Sequence, residues 1–477
     1  MLKSIFTTLI AVATLSTVAM AAGHEFSLQP VVTIDIGVTV GQIKAVPVSL
    51  GNNREAVLLV FSEDAPVDPY RKMFFFPKST LKMLLFDSDG KILWRKELNR
   101  GVIPGTWFCP VFPFDLDSDG TDEIWFVDNS DPDHPLSLED YKLARLDATT
   151  GEALGNWDWP VPDMFQPPSH LFRNFIIGGH ADGEPVLVTA QGTYGPMNIQ
   201  GWNSDMSLRW EYKIARDAPG ARGSHMCPIV DIDGDGTDEL VWGERLIELD
   251  KGIEKFCADE QVWNDHSDVV QPVLDRETGN WLLYTCREKL QPKPPRVVTF
   301  DSKGKRIWSA IEQGHMDMGW VARIGEQGRK VAMAIRIGHK TAGPKGFSRS
   351  GVEEFAWDVI TGEEIDLPFS VYQSLPVDID GDAVHELARS GNGGCEIIDR
   401  SGKVITKITG GAIIAGKLFG LPGEQIVCKG PGGIVQVWAD LNAKDKEEAK
   451  FRYSHPFYRA NRKLTATGSN RNNLGGL

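Results

Sequence analysis

The sequence predicts an all-β fold: a single β-propeller, with seven blades as the first choice and eight as the alternative. Three observations predict it. A short hairpin signature recurs along the chain, helical signals are nearly absent, and acidic loops run directly into apolar, strand-like segments.

The signature is a few apolar residues, an Asp or Asn, a turn that usually ends in Gly, and then an apolar residue or Trp. It occurs at Asp87, Asp147, Asn203, Asp250, Asp301, Asp358 and Asp399, as in LLFDSDGKILW and VVTFDSKGKRIW. The first residue tolerates turn geometry and the Gly supplies positive φ, which reads as a β-hairpin. Seven copies at 41 to 60 residue intervals match one four-stranded blade each. The segment Ile434 to Asp440 is either an eighth copy or a closing strand. The main helical candidate is the charged stretch Asn442 to Lys450.

The chain opens on an export signal. Lys3 precedes an apolar run from Ile5 to Val18, and Ala19-Met20-Ala21 fits the small-x-small cleavage rule. Residues 1–21 are therefore set aside as a signal peptide, leaving 22–477 as a catalytic propeller that is secreted or periplasmic. No later segment is apolar enough to span a bilayer, so no membrane insertion of the mature chain is expected. Six cysteines in an oxidising compartment permit three disulfides, but they are sparse, and mostly buried thiols with at most one bridge are expected.

With 65 acidic and 50 basic residues the formal charge is −15, which argues against a nucleic-acid partner. Three acidic loops contain fourteen carboxylates, nearly the whole excess. Asp115, Asp117, Asp119 and Glu123 repeat as Asp231, Asp233, Asp235 and Glu239, and more weakly as Asp378, Asp380, Asp382 and Glu386. Oxygens at positions 1, 3, 5 and 9 with Gly at 6 suit a hard cation, so structural Ca²⁺ is expected. In the third loop Ala383 stands where the others carry Gly.

Candidate chemistry lies between residues 165 and 320. His170 and His180 flank a short strand with Arg173, and Tyr194 sits in a glycine-bounded turn. A His/Tyr/Arg collection suits β-elimination on a uronate. Arg must neutralise the carboxylate before a His or Tyr removes the C5 proton, and a second such group protonates O4. Another group, His225, His266, Cys286 and His315, offers a tetrahedral Zn²⁺ site. No carboxylate pair outside the acidic loops stands out for a hydrolase.

The acidic loops leading into strands, the blade hairpins, Gly223-Ser224-His225 and His266-Ser-Asp268 together resemble the propeller polysaccharide lyases: the ulvan lyases and the calcium-bearing rhamnogalacturonan lyases. The loops alone also resemble those of integrin-like propellers. The resemblance implies an enzyme cleaving an acidic polysaccharide by β-elimination, with ulvan and its rhamnose–glucuronate linkages as the first choice and rhamnogalacturonan as an alternative. A non-catalytic propeller that binds glycan or protein is a second alternative. It implies acid/base roles for His170 and His180, proton transfer by Tyr194 and carboxylate binding by Arg209 or Arg173. A monomer is expected.

Overall fold

The computed structural model describes residues 24–160, 166–288, 295–343, 346–391 and 394–477. The export segment read at residues 1–21 lies outside them. The described residues form eight antiparallel sheets in chain order, spanning 42–97, 111–158, 174–214, 229–257, 267–310, 315–358, 374–409 and 411–440. Seven have four strands and the sixth has three. Helix is confined to short pieces, chiefly Glu447–Ser454, which covers part of the predicted helical stretch, and Pro456–Asn461.

Seven hairpin copies gave an expectation of seven sheets, and eight are present. The last sheet lacks the hairpin because its fourth strand is Leu28–Asp35, which pairs antiparallel with Ile434–Asp440. A strand borrowed from the other end of the described chain leaves no local turn signature. The sixth copy, at Asp358, forms its turn but continues only as a bridge between Trp357 and Glu364, which is why that sheet stops at three strands.

The repeat also ties neighbouring sheets together. In the first hairpin, Asp87 accepts from the backbone N–H groups of Asp89 and Lys91, and Gly90 has φ +78°. Trp94 then donates to the Ala148 carbonyl of the second sheet at 2.8 Å, and a Cβ on Gly151 would meet its ring at 2.8 Å. The same contact joins Trp210 to Gly252 and Trp308 to Gly362. Gly is thus required twice over, for the turn and for the close approach of an indole.

The first strands of several neighbouring sheets touch one another and also touch the segment 456–477. Asn461 accepts from the Ile229 N–H and donates to its carbonyl. Thr465 donates to the Ala45 carbonyl at 2.6 Å, and Asn470 accepts from the Cys227 N–H at 2.9 Å. All three side chains are buried, so this polar segment satisfies backbone groups that apolar packing would orphan. The six cysteines are free thiols, without the bridge that the sequence left open. No helix among the described residues is long and apolar enough to cross a membrane.

The acidic loops fold as turns before strands. Asp115, Asp117 and Asp119 converge, as do Asp231, Asp233 and Glu239, and Asp378, Asp380 and Asp382; Glu123, Asp235 and Glu386 stand outside these groups. Glutamates also brace the loop backbone, both outside and inside these groups: Glu123 accepts from Leu116 N–H and Glu239 from Ile232 N–H. In the second loop the Lys255 ammonium lies 2.9 Å from Asp233, 3.4 Å from Asp235 and 2.5 Å from Glu239, so a tethered cation occupies the acidic cluster. In the third loop Asp378 is buried and accepts from the Tyr453 hydroxyl at 2.7 Å. Ala383 takes φ +67° there, the left-handed conformation that the other two loops assign to Gly.

Candidate active site

A cavity of about 1140 Å³ gathers side chains from the loops and strand starts of several sheets. The short helix Pro168–Leu171 and the turn after it supply His170 and Arg173, and the turn following Glu184–Gln191 supplies Tyr194. His225 comes from the loop before the fourth sheet. The Tyr194 hydroxyl lies 3.0 Å from His225 Nε2. The Arg173 guanidinium is sandwiched between aromatic faces, 4.5 Å from the Trp107 centroid and 4.9 Å from that of Tyr194, and pairs with Asp68 at 3.6 Å.

The fifth and sixth sheets deliver the remaining groups by one local device. Each opens on His-x-Asp: His266-Ser267-Asp268 and His315-Met316-Asp317. In each first strand the antiparallel register skips the aspartate, from Ser267 to Val269 and from Met316 to Met318. The bulge residue is the acid, re-aimed out of the ladder as bulges beside functional sites commonly are. Glu288, just after Trp281–Arg287, meets both imidazoles: it bonds to His266 Nε2 and lies 2.7 Å from His315 Nε2.

Two overlapping sets of potential ligand atoms result: His225, His266, Asp268 and Glu288, and Asp268, Glu288, His315 and Asp317. Asp268 Oδ1 is 2.9 Å from His225 Nδ1, and His315 Nε2 is 3.2 Å from Asp317. Both Asp268 Oδ1 and His315 Nε2 are nevertheless buried without a hydrogen bond. Atoms crowded this closely without donor–acceptor alignment fit the donor set of a cation site, with imidazole and carboxylate ligands.

The electrostatics follow from burial and pairing. Burial opposes the His266 imidazolium, but Asp265 and Glu288 outweigh it and push its pKa up to about 9. Burial likewise opposes the His315 imidazolium, and Asp268, Asp317 and Glu288 raise it to about 11. Burial would raise Glu288, yet the two imidazoles hold it far below the carboxylate range. His170 goes the other way: burial first, then Arg216 and Arg173, lower its pKa. Burial pushes the Tyr194 phenol well above its ordinary value against the pull of Arg173.

The structure thus brings together His170, Arg173, Tyr194, His225, His266 and His315, and it separates three other candidates. His180 sits near the far end of strand Asn174–Ala181, half exposed beside Asp238, roughly 20 Å of strand from Arg173. Arg209 is held on an outer strand by Asp250 and the Asn203 side chain. Cys286 is buried, bonds to the Tyr284 hydroxyl and belongs to neither ligand set, with its thiol pushed up to about 12 by burial; carboxylates occupy the place that the zinc expectation gave it. Residue spacing missed Glu288, Lys340 and Arg349. Asp317 lies in the second His-x-Asp, one sheet interval after the first.

No model of a known protein family matches the chain. Two curated relatives from Bacillus subtilis (strain 168) match part of it. Rhamnogalacturonan exolyase YesX is 27% identical over 194 residues, 34% of this chain and 32% of its own length. Rhamnogalacturonan endolyase YesW is 26% identical over 198 residues, 35% and 32%. These matches span about a third of the relatives' length. Among solved structures, the exotype rhamnogalacturonan lyase YesX superposes with a TM-score of 0.76 at 18% identity, over 92% of this chain and 80% of that one. Rhamnogalacturonan lyase PL11 of Bacillus licheniformis gives 0.73 at 16% identity, over 95% and 82%. Across nearly its whole described length, the chain has the fold of the rhamnogalacturonan lyases of known structure.

Proposed function

We propose that the protein is an exported polysaccharide lyase that cleaves a uronate-containing polysaccharide by β-elimination. Its eight sheets are read as the blades of one propeller around the segment 456–477. The names of the relatives, rhamnogalacturonan lyases, support rhamnogalacturonan rather than ulvan as the substrate in this reading. The observation that carries the reading is the convergence in one cavity of a low-pKa His170, a protonated Tyr194 and a cationic Arg173 beside a cluster of imidazoles and carboxylates.

The chemistry assigns roles. The C5 proton of a uronate is weakly acidic, so the adjacent carboxylate must be held by positive charge before a base can remove the proton. Arg173, fixed between Trp107 and Tyr194, is one such charge. His170 is neutral at ordinary pH because its pKa is lowered, and so can accept the C5 proton. Tyr194 retains its proton and can donate it to the departing O4, its hydroxyl oriented by His225. His225, His266, Asp268 and Glu288 would hold a divalent cation, which would displace the proton that the carboxylates otherwise keep on His266; its contribution when bound is to polarise the uronate carboxylate. Divalent cations in the first and third acidic loops would be structural.

The test is incubation with rhamnogalacturonan, ulvan and related uronate polymers, following the ultraviolet absorbance of the unsaturated uronate. Absorbance growth on rhamnogalacturonan supports the reading. Absence of unsaturated product on every polymer overturns it and favours a glycan-binding propeller without catalysis.

A further inference from the structure

The sixth sheet carries an arm that the fold itself does not require. Strands Lys330–Gly343 and Gly346–Asp358 pair along their length, but the neighbouring strand His315–Arg323 accompanies them only as far as Ile337. Beyond it the hairpin projects as a two-stranded arm. The arm leaves the sheet at a facing pair of glycines: an added Cβ at Gly338 would lie 3.2 Å from the Gly351 carbonyl, and Gly351 has φ +63°. Positive φ inside a strand breaks the extended geometry, and two facing glycines mark a bend point.

Two residues beyond the glycines, Lys340 and Arg349 stand directly opposite each other in the register. Like charges in cross-strand pairs repel, so this pair is sustained by an anion, and both side chains bind Asp317 in the cavity wall. Lys340 also lies 3.5 Å from Glu288. Asp317 has His315 against it as well, at 3.2 Å. Lys340, Thr341 and Arg349 all line the cavity.

We propose that Lys340 and Arg349 form a carboxylate clamp for a uronate of the polysaccharide, carried to the cavity by the glycine-hinged arm, with Asp317 holding the two cations in place until a substrate carboxylate joins them. A carboxylate bridging an ammonium and a guanidinium gains two charge-assisted hydrogen bonds, and the guanidinium fork fixes its plane. The clamp adds a positively charged subsite to the one at Arg173. It rests on the lyase reading above, since it presumes a uronate ligand.

The test compares wild type with Lys340→Met/Arg349→Met in two measurements. One is KM for rhamnogalacturonan; the other is the inhibition constant of a carboxyl-reduced rhamnogalacturonan oligosaccharide, which has the same sugars without the charge. Loss of two charged hydrogen bonds predicts a rise in KM of about tenfold to a hundredfold, an unchanged inhibition constant for the neutral oligosaccharide, and substantial recovery of KM in Lys340→Arg/Arg349→Lys. An unchanged KM overturns the clamp. A parallel rise of KM and of the neutral inhibition constant also overturns it, because that is the signature of a disturbed cavity. Wild type yielding no unsaturated product on any uronate polymer removes the lyase reading and the clamp together, an outcome distinct from the other two.

Discussion

The Tyr194 hydroxyl lies 3.0 Å from His225 Nε2, while the same imidazole turns Nδ1 toward buried Asp268. A phenol that keeps its proton is thereby tied to the cluster of imidazoles and carboxylates, and its orientation depends on them.

Tyr194→Phe removes that hydroxyl and leaves the ring that packs on Arg173. Turnover should fall by about 10²–10⁴, the usual contribution of a positioned proton donor. The melting transition should move by no more than the roughly 1 kcal/mol of one hydrogen bond. Initial rates and thermal melts check both, and retained full activity removes Tyr194 from the chemistry.

The pH profile should report His170. Its folded pKa is lowered, so the neutral base persists to more acidic pH than a free imidazole allows. The acid limb of kcat/KM should therefore fall below the ordinary value of 6.5, with activity present above the limb and lost as pH falls through it. His170→Gln should abolish turnover. A limb above 6.5 would assign the titration to another group.

Asp268 belongs to both ligand sets, so it should control any cation in the cavity. Asp268→Asn should lower the divalent-metal content found by elemental analysis and reduce turnover. Chelation of wild type should do the same reversibly. Equal metal content in variant and wild type would place the cation elsewhere.

Lys255 neutralises Asp233, Asp235 and the fully buried Glu239. Lys255→Met should destabilise the fold by about 1–3 kcal/mol in chelator, the cost of leaving buried polar groups uncompensated, and added Ca²⁺ should restore part of the loss. If Ca²⁺ leaves the variant's melt unchanged, the loop does not have the geometry of a cation site.

Arg452 is buried against Glu424 at 2.6 Å, with Tyr458 donating to the same carboxylate. Arg452→Met should cost about 3–5 kcal/mol, because it strands a buried charge. Chemical denaturation measures it.

The sheets were legible in the sequence because their turn chemistry is local: Asp, Gly and Trp lie within eight residues of one another in LLFDSDGKILW. The strand that completes the eighth sheet was not, since Leu28–Asp35 pairs with Ile434–Asp440 across the whole described chain. The site was legible where a residue sits beside a strand start, as with His170, Arg173, Tyr194 and His266. Spacing does not say which end of a strand faces the cavity, and so His180 and Arg209 misled. Lys340 and Arg349 were invisible because an arm extending past its sheet has the same residue pattern as one that stops with it.

The segment 456–477 follows all eight sheets in the chain, yet it fills hydrogen bonds of first strands laid down as much as 420 residues earlier. On the ribosome every sheet emerges before the segment that joins several of them. Their joining is therefore a late, long-range event, slow by the loop entropy it must overcome. A nascent chain interrupted before Pro456 would leave buried backbone groups of several sheets, such as the Ala45 carbonyl and the Ile229 amide, without their partners.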